Sequence, residues 1–206
     1  QLEVDEGDPF NELLHAKSIN NLRSLGIFKD VKAEIKDGLE ENTKVIEINV
    51  EEKPTGELSL GAGVGTDGSS IGFSVSENNY LGRAIKLNTA LEISEDRIKG
   101  AFSVVNPNFN YSDKVLFTNI QSTVTDKLTK SGYKSSKTGF SFGTAFEQYD
   151  DLTISPSFST YMEKLETNSA ASSTLKSQEG DYFDTSLGYG ITYDKRNRRF
   201  RTTEGY

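Results

Sequence analysis

Few residues in this sequence have the types and spacing that chemistry needs. His15 is the only histidine and there is no cysteine, so thiol nucleophiles, disulfides and Cys-ligated zinc drop out at once. A Ser-His-Asp relay needs a located nucleophile beside the imidazole, and none is marked, so a structural role for one helical histidine is the simpler reading. The carboxylate pairs Glu51-Glu52 and Asp150-Asp151 fall at strand ends or in turns, where solvated charge explains them. Gly63-Val64-Gly65-Thr66-Asp67-Gly68 has the GxGxxG spacing of a pyrophosphate cradle, which works only at a strand-to-helix turn. Here Ser70 to Val75 alternate like a strand, so the spacing marks a hairpin. Lys195-Arg196-Asn197-Arg198-Arg199 is a compact basic run, yet the formal net charge of -8 argues against a general nucleic-acid binder. No enzyme constellation survives, and no cofactor is expected.

What remains is the pattern of the elements. Hydrophobic residues make up 34% of the chain and mean hydropathy is -0.55, yet there are 12 Phe, 9 Tyr and 18 Gly. The aromatics recur in alternation, which disorder does not produce and a β-barrel with a wet lumen does. No apolar run approaches the roughly 20 residues of a membrane-spanning helix, so any crossing must be by strands. The N-terminus has no basic stretch followed by an apolar core, so the chain is expected to begin mid-protein.

Residues 1–54 read as helix, strand, strand. Asp8-Pro9 has the form of a helix start, and Leu14, Ser18, Leu22 and Leu25 share a face, flanked by His15 and Ile19. Gly26 supplies the stop. Val31, Ala33 and Ile35 then alternate within 28–36, and Ile46, Ile48 and Val50 within 44–52.

From residue 55 to 206 the grammar is strands alone. The alternation predicts about eight, at 57–66, 70–77, 83–94, 97–106, 113–125, 136–147, 151–164 and 181–194. The third sets the facing: Ile85, Leu87, Thr89, Leu91 and Ile93 oppose Lys86, Asn88, Ala90, Glu92 and Ser94. A lysine facing lipid at midplane would cost about 2–4 kcal/mol, so the aliphatic face is the outer one. The fifth strand is ambiguous, because Val115, Leu116 and Phe117 are all apolar. Connections near 78–82, 107–112 and 148–150 are short. The others lengthen from 67–69 through 95–96 and 126–135 to 165–180, where Ser169 to Ser173 is low in complexity and expected to be mobile. Short turns on one side and long loops on the other is the outer-membrane barrel pattern, and parity puts residues 1–54 on the short-turn, periplasmic side.

At this point the residues resemble a known family. Leu22-Arg23-Ser24-Leu25-Gly26-Ile27-Phe28 resembles the helix-to-strand passage of a POTRA domain, with Ile27 departing from the usual aromatic. Glu77-Asn78-Asn79-Tyr80-Leu81-Gly82-Arg83, Val105-Asn106-Pro107-Asn108-Phe109 and Thr203-Glu204-Gly205-Tyr206 are similar to turns of BamA-type assembly factors, although Thr202 stands where proline is usual. The resemblance implies a mainly β fold: a partial α/β POTRA domain, then about eight strands of a larger transmembrane antiparallel β-barrel. It also implies an outer-membrane location with residues 1–54 in the periplasm, and a non-enzymatic role in inserting β-barrel proteins. The expected partners are nascent outer-membrane proteins, outer-membrane lipids and accessory lipoproteins. A TamA-like or two-partner-secretion pore shares the architecture and is the alternative. A closed eight-stranded barrel would instead behave as a heat-resistant monomer in detergent.

Within that frame the first barrel strand is the expected functional site. Glu57, Ser59, Gly61, Gly63 and Gly65 should face inward, and Leu58, Leu60, Ala62 and Val64 should face lipid. Glycine weakens strand pairing, so a seam at this strand could open sideways and present Gly56 to Thr66 as a template for an incoming strand. The duller explanation of the same glycines is barrel curvature and close inner packing.

Overall fold

The computed structural model describes residues 2–65, 68–112, 114–196 and 205. They fall into two compact units, Gln1–Thr55 and Gly56–Tyr206.

In the first unit, helix α1 (Glu12–Ser24) lies against a hairpin of β1 (Phe28–Asp37) and β2 (Lys44–Glu52). The helix starts later than Asp8-Pro9 suggests. Asn11 is the N-cap, and its Oδ1 accepts from the Leu13 and Leu14 amides at 2.9 and 3.3 Å. Asp8 closes a preceding turn instead, its amide donating to the Asp5 carbonyl and its carboxylate accepting from the Asp5 amide. At the other end Leu25 caps the helix, and Gly26 takes the left-handed conformation beyond it (φ +69°). Ser18 and Ile19 are buried, as are Ile27 and Val31, whereas Leu14 is exposed. Ser18 stays satisfied: its Oγ donates to the Leu14 carbonyl and accepts from the Glu3 amide. Register places Val31 opposite Val50, Ala33 opposite Ile48 and Ile35 opposite Ile46, so one face of the hairpin is aliphatic.

The second unit is one antiparallel sheet of eight strands in sequence order. They are β3 (Gly56–Gly65), β4 (Gly68–Tyr80), β5 (Ile85–Ser94), β6 (Arg97–Asn106), β7 (Val115–Lys127), β8 (Tyr133–Tyr149), β9 (Leu152–Thr167) and β10 (Gly180–Tyr193). Two short helices, α2 (Leu128–Ser131) and α3 (Ser173–Ser177), lie in the longer loops. All eight expected strands are present. The third starts at Ile85, two residues late, because Leu81 to Ala84 form the turn before it.

The facing follows the alternation. Register carries Leu60 to Phe73 to Leu91 on one face, and Gly61 to Gly72 to Glu92 on the other. Most residues lining a depression of about 570 Å³ across β3 to β6 lie on the second face, among them Ser59, Gly61, Gly72, Glu92 and Lys99, which makes the polar, small-residue side the concave one. Its charges find partners there, as with Lys137 and Glu163 at 3.2 Å. The convex face is apolar, and the apolar band is staggered. Its centre on β4 is Phe73, which register carries through Leu91, Gly100, Ser122, Thr138 and Met162 to Phe183 on β10. On β10 the band instead centres on Tyr189, between Leu187 and Ile191, a drift of six residues over six strand-to-strand steps. One residue of stagger per strand is what tilted strands need if a level apolar belt is to cross them.

The ambiguous fifth strand is settled by its neighbour. Phe117 pairs with Gly143 and lies on the concave face, while Leu116 and Thr118 face out. The 165–180 loop differs from the expected mobile segment. Asn168 donates to the Leu128 carbonyl, its amide bonds the Gly132 carbonyl, and Ala171 is buried. Lys130 of α2 reaches Asp96 at 2.9 Å, and that carboxylate raises the lysine pKa above its ordinary value. The connections at 95–96, 126–135 and 165–180 are thus tied to one another, through partners remote in sequence.

Candidate functional site

Strand β3 holds all nine residues that the sequence singles out, Glu57 to Gly65; Thr66 lies outside the described residues. It pairs with β4 along its whole length, from Gly56 opposite Glu77 to Gly65 opposite Gly68. Among the described residues no strand pairs with its other edge, so β3 stands at one end of the sheet and β10 at the other. The GxGxxG spacing therefore spans a hairpin, with Gly63 and Gly65 in one strand and Gly68 opening the next; Thr66 and Asp67 lie outside the described residues.

The two faces of β3 differ sharply. Outward, Leu58, Leu60 and Val64 are 64%, 75% and 89% exposed. Inward, the cross-strand pairs are Ser59–Ser74, Gly61–Gly72, Gly63–Ser70 and Gly65–Gly68. A Cβ added at Gly61, Gly65 or Gly72 would meet nothing within 4 Å, and one at Gly63 would meet only the Ser70 hydroxyl at 3.6 Å. Nothing packs on these glycines. Among the described residues, close inner packing does not account for them. The Ser59 hydroxyl donates to Glu57 Oε1 at 3.2 Å, a bond internal to the strand.

The small-residue surface extends beyond the expected site onto β4, through Ser70, Gly72, Ser74 and Ser76. The alternation of serine and glycine there was a visible signal. On β8 the concave face is filled. Gly143 lies under the Phe117 ring and Gly139 under Tyr161, with added Cβ atoms 2.4 and 2.5 Å from those rings.

The other candidate groups do not converge. Arg196 forks onto Asp194, with Nε–Oδ1 at 2.7 Å, and Lys195 lies over the Tyr193 ring. Residues 197–199 of that basic run, and the Thr203 to Tyr206 turn apart from Gly205, lie outside the described residues. Among the described residues no group of three or more His, Cys, Asp or Glu could hold a metal ion.

A strand edge that meets no other strand among the described residues, with one apolar face, offers one possibility that needs no covalent chemistry. It can accept another strand.

Comparison with known proteins places this sheet. The chain is 24% identical to the outer membrane protein assembly factor BamA of Neorickettsia risticii (strain Illinois), over 98% of its own length. It spans 28% of that relative. Its fold is similar to the crystal structure of BamA from Haemophilus ducreyi lacking POTRA domains 1-3, with a TM-score of 0.74 at 20% identity. That match covers 99% of this chain and 42% of the other. The Omp85 superfamily domain matches residues 79–206, which takes in β5 to β10 but not β3. On the strength of that match, which covers well over half of its length, the chain belongs to the Omp85 superfamily.

Proposed function

We propose that this chain is part of an assembly factor that inserts β-barrel proteins into the bacterial outer membrane, with β3 as the edge that receives an incoming strand. One observation supports the reading: among the described residues β3 is the end strand of the sheet, and its inward face carries no side chain at Gly61, Gly63 and Gly65. In antiparallel pairing alternate residues turn their N–H and C=O groups to each side, so the edge away from β4 offers a ladder of donors and acceptors. A substrate strand adding there exchanges hydrogen bonds one for one, and no bond chemistry or cofactor is required. Glycine in the template keeps it pliable, so the seam can open and re-form.

The staggered apolar belt supports an outer-membrane location, and residues 1–54 would lie in the periplasm as the end of a POTRA domain. Nascent outer-membrane proteins are the proposed substrates, and accessory lipoproteins and membrane lipids the proposed partners. The test is a cysteine pair joining β3, through Ala62→Cys, to the last strand of the complete barrel. Oxidation should stop assembly of a reporter barrel protein, and reductant should restore it. Undiminished assembly in the oxidised form sinks the reading.

A further inference from the structure

Two neighbouring turns at the short-turn end carry a feature that strand addition leaves unused. Between β4 and β5, Leu81 and Ala84 have φ of +58° and +53°; between β6 and β7, Asn110 and Tyr111 both have φ of +56°. Asparagine tolerates the left-handed region, but leucine, alanine and tyrosine are strained there. The turns are held by internal bonds: the Gly82 amide to the Asn79 carbonyl, the Ala84 amide to Asn79 Oδ1, and the Phe109 amide to the Lys114 carbonyl. Those bonds fix a backbone that presents bulky groups to the outside. Leu81 is 72% exposed and Tyr111 84%. The Arg83 guanidinium lies over the Tyr111 ring at 5.5 Å, joining the two turns, and among the described residues no carboxylate forms an ion pair with it.

We propose that these paired turns dock on anionic phospholipid headgroups, with Arg83 taking the phosphate and Leu81, Phe109 and Tyr111 entering the boundary below it. The inference rests on the membrane reading above. Three observations favour lipid. The convex apolar band runs through Leu87, Val104 and Leu116 directly into these turns. Exposed aromatics, Phe109 and Tyr111, and a cation, Arg83, then stand together beyond the band, a combination that suits a bilayer interface. Arg83 lies over a ring and, among the described residues, pairs with no acid, so its fork of donors can reach a phosphate. Strained backbone under exposed bulky side chains is explained when those side chains are buried by something the fold itself does not contain.

The experiment uses the full-length protein in bilayers of phosphatidylcholine alone or mixed with phosphatidylglycerol, with retained lipid read by native mass spectrometry. The wild type should retain phosphatidylglycerol over phosphatidylcholine. Arg83→Gln should cut that preference about fivefold, the factor for losing one basic side chain beside an anionic leaflet. Lys99→Gln, an equal charge change on the concave face, should leave it intact. A photoreactive phenylalanine analogue at Tyr111 should label lipid in cells. Equal preference in wild type and Arg83→Gln, or a protein adduct from Tyr111, overturns the proposal while leaving strand addition standing. Failure of the wild type to resist urea extraction from the bilayer would overturn the membrane reading and this inference with it.

Discussion

The glycines of β8 and those of β3 sit on the same concave face of one sheet, in the same alternating phase, and are used in opposite ways. At Gly139 and Gly143 the missing side chain is replaced by a neighbour's ring: Tyr161 and Phe117 lie across the backbone where a Cβ would be. At Gly61 and Gly65 nothing replaces it. In the first region glycine is a socket, and it ties three strands together. In the second it is an absence: among the described residues no ring lies across the inner face of the end strand. Residue type therefore does not say whether a glycine stiffens or loosens a sheet; the cross-strand partner does.

Substitution by alanine separates the two uses, and the largest effect belongs to Gly139. Its added Cβ would lie 2.2 Å from the Thr160 carbonyl oxygen, which is backbone and cannot step aside. Gly139→Ala in the full-length protein should lose about 3 kcal/mol, the upper end of ordinary overpacking, read as the urea midpoint in detergent micelles. Gly143→Ala comes next. It meets the Phe117 ring at 2.4 Å, which can turn, and the Pro156 carbonyl at 2.7 Å, a smaller backbone overlap than the one at Gly139. About 1–2 kcal/mol is expected, and adding Phe117→Leu should recover part of it, a coupling that a double-mutant cycle measures. Gly190→Ala on β10 is milder still, because its clash is with the Ser155 hydroxyl at 2.5 Å, the free end of a rotatable side chain. A loss near 1 kcal/mol, about one displaced rotamer, should appear in the same assay. If all three cost the same, the socket explanation fails.

The sequence announced the strands and their outward faces, because period-two alternation is local and survives without tertiary knowledge. What it hid was decided by partners far along the chain. Phe117 could not be assigned to a face from Val115-Leu116-Phe117, and only the register with Gly143 turns it inward. The order in the 165–180 loop comes from Asn168 and Ala171 meeting residues 128–132, contacts that low complexity at 169–173 conceals. The helix is capped by Asn11 and not by Asp8 for a local reason: both are good caps three residues apart, and Asp8 is engaged in the turn with Asp5. The candidate strand was legible in its glycines, while the reason for them was not, since space beside a glycine cannot be read from its neighbours in sequence.

The smallest change in stability should come from Gly61→Ala, and it bears most directly on function. The added methyl meets open space, and Gly61 is not among the glycines with positive φ, so no strain opposes it. Removing glycine's freedom from the unfolded chain should raise stability by about half a kcal/mol, opposite in sign to the β8 and β10 variants. If β3 works by being pliable, this slightly more stable protein should assemble a reporter barrel more slowly, and Gly61→Ala with Gly63→Ala should slow it further. If the glycines serve curvature alone, the two effects should not diverge: assembly would hold steady or improve along with stability. Measuring the urea midpoint and the assembly rate on the same preparations decides between them, because only the templating role predicts that stability rises while the rate falls.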